Sequence, residues 1–260
     1  MKQMNFICVF ACLLVLASCK KNDCGFPPGG GMNEKHFTLK KLIHGTQEYN
    51  FYYNKKQQLD SVVSFNLKER MVYHVKRAGG RIDSVLFMRN GSLAWVNTDI
   101  EYDDDGNIIR FNNRVAPSLE PAEPVEITYE QGHVHSITAH NVYLPFLTRY
   151  DTLIYNQQND ITTWATPLPR STAVNVKHYT YDNRYNPLYL IEDLLIVFFK
   201  DYFLWEFFLS QHNSVTKYYE LYDVTVNYEN FYDQKNRLTK KRFTERSYQQ
   251  PDSLVYEYMR

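Results

Sequence analysis

The sequence predicts an all-β domain: an antiparallel meander of β-hairpin repeats forming a large twisted sheet, with one apolar helix near 192–210. Three observations predict it. Tyr is abundant, 22 of 260 residues, against 10 Gly and 10 Pro, and aromatic and β-branched side chains favour strands. Short segments alternate apolar with polar residues, the period of a half-buried strand. One such pattern recurs at about 26-residue intervals.

The amino terminus has the three parts of an export signal. Met1-Lys2-Gln3 gives a positive start, 6–16 is uncharged and apolar, and the run ends at Leu16-Ala17-Ser18-Cys19. The apolar run is too short to remain as a spanning helix. Residues 1–18 are therefore read as a signal peptide, 19–34 as a tether and 35–260 as a single repeat domain. Leu16-Ala17-Ser18-Cys19 resembles the lipobox of bacterial lipoproteins. The resemblance implies a diacylglycerol on Cys19, cleavage before it, and acylation (palmitate, for example) of the new amino group. Such a chain is held at the cell envelope, in the outer membrane, facing the periplasm or the cell surface. The alternative is an ordinary secretion signal that carries a Cys at its cleavage site.

Cysteine positions fit this organisation. Cys8 and Cys12 leave with the signal and lipid consumes Cys19, so only Cys24 remains and the domain has no internal disulfide. Residues 20–34 include Pro-Pro-Gly-Gly-Gly, a flexible spacer composition. Asp23 and the neighbouring lysines resemble the charged export signal of surface lipoproteins. Acidic and basic residues number 29 each, which leaves no basic excess for nucleic acid.

The repeat occupies most of the remaining chain. Segments 49–62, 100–111, 127–137, 153–164, 179–190 and 230–243 each place a strand ending in Tyr before a polar turn and an aliphatic start. Segment 72–87 fits with Val75 in the Tyr position, and 254–260 is a final half-unit. The markers Val75, Tyr102, Tyr129, Tyr155 and Tyr181 are 26 or 27 apart; Tyr181 to Tyr232 is 51, close to two periods, and Tyr258 comes 26 later. Gly79-Gly80, Asp104 to Gly106, Gln131-Gly132 and Gln158 to Asp160 are the hairpin turns, because Gly and Asn tolerate positive φ.

Tyr-Asp, polar residues, Gly or Asn, then an aliphatic is similar to the YD repeat of Rhs-type proteins. A closer likeness is to Bacteroidota lipoproteins of unknown function. They pair a segment like YDNRYNPLYL (181–190) with one like LSQHNSVT (209–216). The resemblance covers most of 48–260 and implies an all-β repeat fold at the envelope.

Segment 192–210 lacks turn residues and is apolar on several sides. Its charges limit the uninterrupted apolar run to 194–199, against roughly 20 residues for a membrane span. Helix is the expectation, strand the alternative. Leu194, Leu195, Phe198 and Phe199 would seal the sheet, with Trp205 and Phe208 at the edge of a binding surface; alternatively the whole segment is enclosed.

Candidate sites are few. Asp103-Asp104-Asp105-Gly106-Asn107 has calcium-loop chemistry, but a hairpin turn explains every residue. His133 and His135, two apart on a strand, would face the same side and could ligate zinc or copper. The repeat tyrosines would pack across strands, leaving Trp95 and Trp164 as the aromatic candidates for surface contact. No catalytic motif occurs, and no cofactor is implied. The expected function is an envelope-anchored, non-catalytic scaffold or binding module for a protein or glycan partner. The alternatives are a hydrolase acting on envelope or dietary polymers and a periplasmic lipid carrier.

Overall fold

A computed structural model describes residues 38–66, 68–189, 191, 194–200, 202–244 and 252–259. The signal peptide, Cys19 and the tether lie outside them. Among the described residues, sixteen antiparallel strands form one closed barrel, so the large sheet is not open. The strands are β1 (Leu39–His44), β2 (Gln47–Tyr53), β3 (Leu59–Phe65), β4 (Arg70–Ala78), β5 (Arg81–Arg89) and β6 (Ser92–Tyr102). Next come β7 (Ile108–Val115), β8 (Glu123–Glu130), β9 (His133–Ala139), β10 (Arg149–Tyr155) and β11 (Ile161–Pro167). The last are β12 (Val174–Tyr185), β13 (His212–Tyr219), β14 (Val224–Tyr232), β15 (Leu238–Phe243) and β16 (Asp252–Tyr258). Each pairs with its sequence neighbours, and β1 pairs with β16.

The repeat explains the turns. In four hairpins the marker Tyr is followed by Asn or Asp (Asn54, Asp103, Asn156 and Asp233), whose side-chain oxygen accepts backbone N–H bonds from inside the turn. Three residues on, the backbone has positive φ at Gln57, Gly106, Asn159 and Asn236. The turns expected at Asp104 to Gly106, Gln131-Gly132 and Gln158 to Asp160 are all present. Asp103 serves its own turn, its carboxylate accepting from both the backbone and the side chain of Asn107.

Register identifies the marker position by pairing. Tyr53 stands opposite Leu59, Tyr102 opposite Ile108, Tyr129 opposite Val134, Tyr155 opposite Ile161 and Tyr232 opposite Leu238. By the same rule the marker on β4 is Arg77, which faces Ile82, and not Val75, which faces Val85. A register shift directly precedes Arg77, as it directly precedes Tyr53, Tyr102, Tyr129, Tyr155 and Tyr232; sequence spacing misses the position because its residue is Arg and not Tyr.

The marker side chain ties one hairpin to the previous one. Tyr102 Oη donates to the carbonyl of Ile82 (2.8 Å), Tyr129 Oη to Ile108 (3.1 Å) and Tyr258 Oη to Leu238 (2.7 Å). The Arg77 guanidinium does the same to Leu59 at 3.4 Å. These residues sit along one end of the barrel, the tyrosine rim, where even-numbered strands end. The first and last described residues meet there too, Met259 N–H donating to Thr38 O.

Side chains alternate across the wall. Val62, Tyr73, Val85, Phe111, Ile127, Leu153 and Val226 point inward and are buried. Outward positions carry charge, and cross-strand ion pairs join Glu101 to Arg110, Glu229 to Arg242, and Lys41 to both Glu48 and Glu257.

Candidate functional site

Between β12 and β13 the tight turn of the repeat is replaced by residues 186–211, and this insertion fills the lumen. It includes two short helices, α1 (Leu194–Val197) and α2 (Tyr202–Phe208), separated by turn residues 198–200. The single helix expected over 192–210 is therefore broken. A straight 19-residue helix would run about 28 Å, longer than most of the barrel strands, whereas a helix that turns back fits inside.

Its contacts come from around the ring. Phe198 packs edge-on to Tyr49 of β2 and Tyr73 of β4 (centroids 5.7 and 5.0 Å), and Phe199 edge-on to Phe111 of β7 (5.1 Å). Trp205 stacks on Trp164 of β11 (6.3 Å), and Phe207 meets Tyr228 of β14 (6.2 Å). A segment that touches strands on all sides of a closed barrel is inside it.

This placement corrects the aromatic candidates. Trp205 is 0% exposed, and Trp95, Trp164 and Phe208 are also buried. Trp95 stacks on Phe87, and the Trp164 indole N–H donates to Asp151 (2.8 Å). Lying outside the marker positions does not bring these residues to the surface, because strand alternation and lumen filling put them in the core. Leu194, Ile196, Val197, Phe198, Phe199, Leu204 and Phe207 of the insertion are buried as well, so Trp205 and Phe208 border no binding surface.

The plug is also fastened by polar groups. Asn97 donates to the Ile196 carbonyl (2.8 Å) and accepts from Asn113 (2.7 Å). On α2, Glu206 accepts from Lys217 (2.9 Å) and Tyr179 (3.2 Å), and Lys177 lies 3.9 Å away. Burial alone would raise the Glu206 carboxyl, but Lys217 and Lys177 outweigh it and hold it below the usual carboxylate range. The nearby Lys241 ammonium bonds the Ser214 carbonyl and hydroxyl, both at 2.9 Å, and burial pushes it down to about 7.

Residues on either side of the insertion form the plug's neck. Asn186 donates to Phe207 O and Ser210 O, Tyr181 bonds Ser210, and Asn213 donates to Arg184 O and Tyr185 O. Asp160 accepts from the backbone and ring of His212 (2.7 and 2.8 Å). The 51-residue marker interval is thus one repeat plus the plug, not two repeats.

His133 and His135 are not a matched pair on one face. A register shift opposite Thr128 and Tyr129 skips His135, and a bulge breaks strict alternation. His133 stacks on Tyr155, and His135 pairs with Glu130 (3.2 Å). Among the described residues no three His, Cys, Asp or Glu side chains gather as a metal site.

The rim opposite the tyrosines carries the longer loops, 116–122, 140–148, 168–173 and 220–223. Here Tyr143 (65% exposed), Tyr222 (61%), Leu144, Phe146, Leu147 and Leu221 face solvent. The first three of these loops are tied together: Tyr143 Oη donates to Glu120 O, and the Arg170 guanidinium lies 3.9 Å from the Phe146 ring. No sequence signal marked 142–147, because a short apolar loop between strands looks like strand.

The barrel fold has solved counterparts. It is similar to a porin-like protein from Bacteroides uniformis, with TM-score 0.59 and 11% identity over 86% of this chain and 98% of that one. A porin-like protein from Bacteroides vulgatus aligns with TM-score 0.45 and 10% identity over 85% and 99% of the two chains. At such identity the likeness is one of fold. No family model and no curated protein matches the chain.

Proposed function

We propose that this chain is an envelope-anchored, non-catalytic binding module whose loop rim engages a partner protein. The observation that carries the reading is the set of exposed apolar residues on this rim, Tyr143, Leu144, Phe146 and Leu147 in one loop and Leu221 and Tyr222 in another. Exposed apolar surface gathered at one end of a domain marks interaction sites, and aromatic residues with Arg, here Phe146 with Arg170, are typical of protein interfaces.

Two features support a binding role over transport or carriage. A transmembrane barrel turns an apolar band outward and keeps a polar interior; this barrel has ion pairs outside and aromatic residues inside. A lipid carrier needs an open apolar cavity, and here the plug occupies that space. Anchoring rests on the resemblance of Leu16-Ala17-Ser18-Cys19 to a lipobox.

In-cell photocrosslinking tests the proposal, with a photoreactive aromatic at Tyr143 or Tyr222 and a control at Tyr52 on the outer wall. Discrete, protease-sensitive adducts from the rim positions and none from Tyr52 are expected. Protease-resistant adducts would assign a glycan instead. Equal labelling at all three positions, or none, would overturn the rim as a binding face.

A further inference from the structure

We propose that Arg170 sets the partner specificity of the loop rim by receiving a carboxylate, so that the partner protein presents an acidic side chain beside apolar ones. This rests on the loop-rim reading above and names the chemistry of what binds there.

The backbone does not call for Arg at this position. Ser171 N–H donates to Leu168 O (3.2 Å), closing a four-residue turn with Pro169 and Arg170 at its centre. Arg170 has φ +57. A turn with Pro first and positive φ second favours Gly or Asn at the second central position. The other positive-φ positions among the described residues carry Gly, Asn, Asp or Gln, except Leu119, which lies on the same rim. Arg170 therefore strains a turn that Gly would relax, and its side chain is kept for another purpose.

The surroundings of the side chain point to that purpose. Arg170 is exposed, and its guanidinium lies 3.9 Å from the centre of the Phe146 ring. Among the described residues the ring is its only partner, and no hydrogen bond or ion pair uses its five N–H donors. Nearby carboxylates are engaged elsewhere, Glu120 by Arg114 and Glu220 by His178. The loop that carries Phe146 also exposes Tyr143, Leu144 and Leu147. A partner seated on these apolar residues would cover the cation beside them, and a covered cation without a counter-charge is unfavourable. Complementarity therefore asks for an acid opposite. The guanidinium fork matches a carboxylate in two-point geometry, and its contact with Phe146 holds it in place before binding.

Selection of a phage-displayed random peptide library on the immobilised full chain tests this. Clones that lose binding to Tyr143→Ser/Leu144→Ser are the rim binders. They should be enriched in Asp or Glu next to apolar residues, and should bind Arg170→Gly about tenfold more weakly. Because Gly relaxes the turn, that variant should melt no lower than wild type. Selection repeated on Arg170→Glu should return rim binders rich in Lys or Arg, an inversion that loss of a purely structural clamp would not produce. Rim binders without acidic enrichment, or with equal affinity for wild type and Arg170→Gly, would overturn the role of Arg170 and leave the rim as a binding face. The same acidic peptides selected on Arg170→Glu would overturn it too. Absence of any rim binder would overturn both this inference and the reading on which it rests.

Discussion

Leu39 stands opposite Tyr258 across the β1–β16 pairing, in the relation that Ile108 has to Tyr102, although 219 positions separate them. Tyr53 Oη then donates to the Leu39 carbonyl (2.9 Å), as Tyr102 does to Ile82. The first strand is therefore the missing aliphatic half of the last hairpin unit. Sixteen strands make eight units only when β1 and β16 are counted together. This shared unit gives the sheet a reason to close, and closure leaves no edge strand to pair with another chain.

Removing one marker hydroxyl should weaken one tie between hairpins. Tyr102→Phe is expected to lower unfolding stability by about 1 kcal/mol, the net contribution of an intramolecular hydrogen bond. Tyr52→Phe, on the exposed outer wall, should leave it unchanged. Urea denaturation compares the two.

The plug residues are core. Trp205→Ala should cost about 3–5 kcal/mol, the range for a large buried aromatic, and Trp164→Ala a similar amount. Thermal unfolding with a Tyr143→Ala control measures it. A Trp205 variant as stable as that control would return this segment to the surface.

The buried charges under the plug set a pH dependence. Burial lowers the Lys241 amine to about 7 from its ordinary 10.5, so between those values the unfolded chain holds a proton that the folded chain has lost. Stability therefore rises with pH through this window, and measurement from pH 7 to 9 avoids tyrosine ionisation in the unfolded chain. Lys241→Met should flatten the rise. Glu206→Gln leaves Lys217 without its nearest counter-charge and should destabilise by about 3–5 kcal/mol at pH 7.

Much of this architecture is legible in the sequence, for identifiable reasons. The Tyr marker, the Asx residue after it and the positive-φ position are local chemistry, so the hairpins and their turns can be read directly. Closure cannot, because it depends on Leu39 meeting Tyr258, and β1 lacks a marker of its own. Nor can the marker role of Arg77, because the residue is not Tyr and only its pairing with Ile82 reveals the role. The plug is visible as an apolar departure from the repeat, but its destination is not. Inward-facing aromatics such as Trp164 and Tyr228 look the same in sequence whether they face a sheet partner, a ligand or an inserted segment.

The anchor prediction is independent of the barrel. Acyl-lipid labelling should mark wild type and be lost in Cys19→Ala, with the wild-type protein partitioning into membranes. Equal labelling of both would remove the lipoprotein assignment and leave the fold untouched.

The most direct test of closure is a disulfide between β1 and β16. Ile43 and Val255 are register partners with alternation toward the outer face, and directly paired antiparallel residues have Cα atoms about 4.5–5.5 Å apart, within disulfide reach. In a chain with its four native cysteines changed to Ser, Ile43→Cys/Val255→Cys should oxidise within the monomer, and mass spectrometry should recover one linked peptide pair. Free thiols, or only intermolecular links, would mean that the first and last strands do not meet and that the sheet is open.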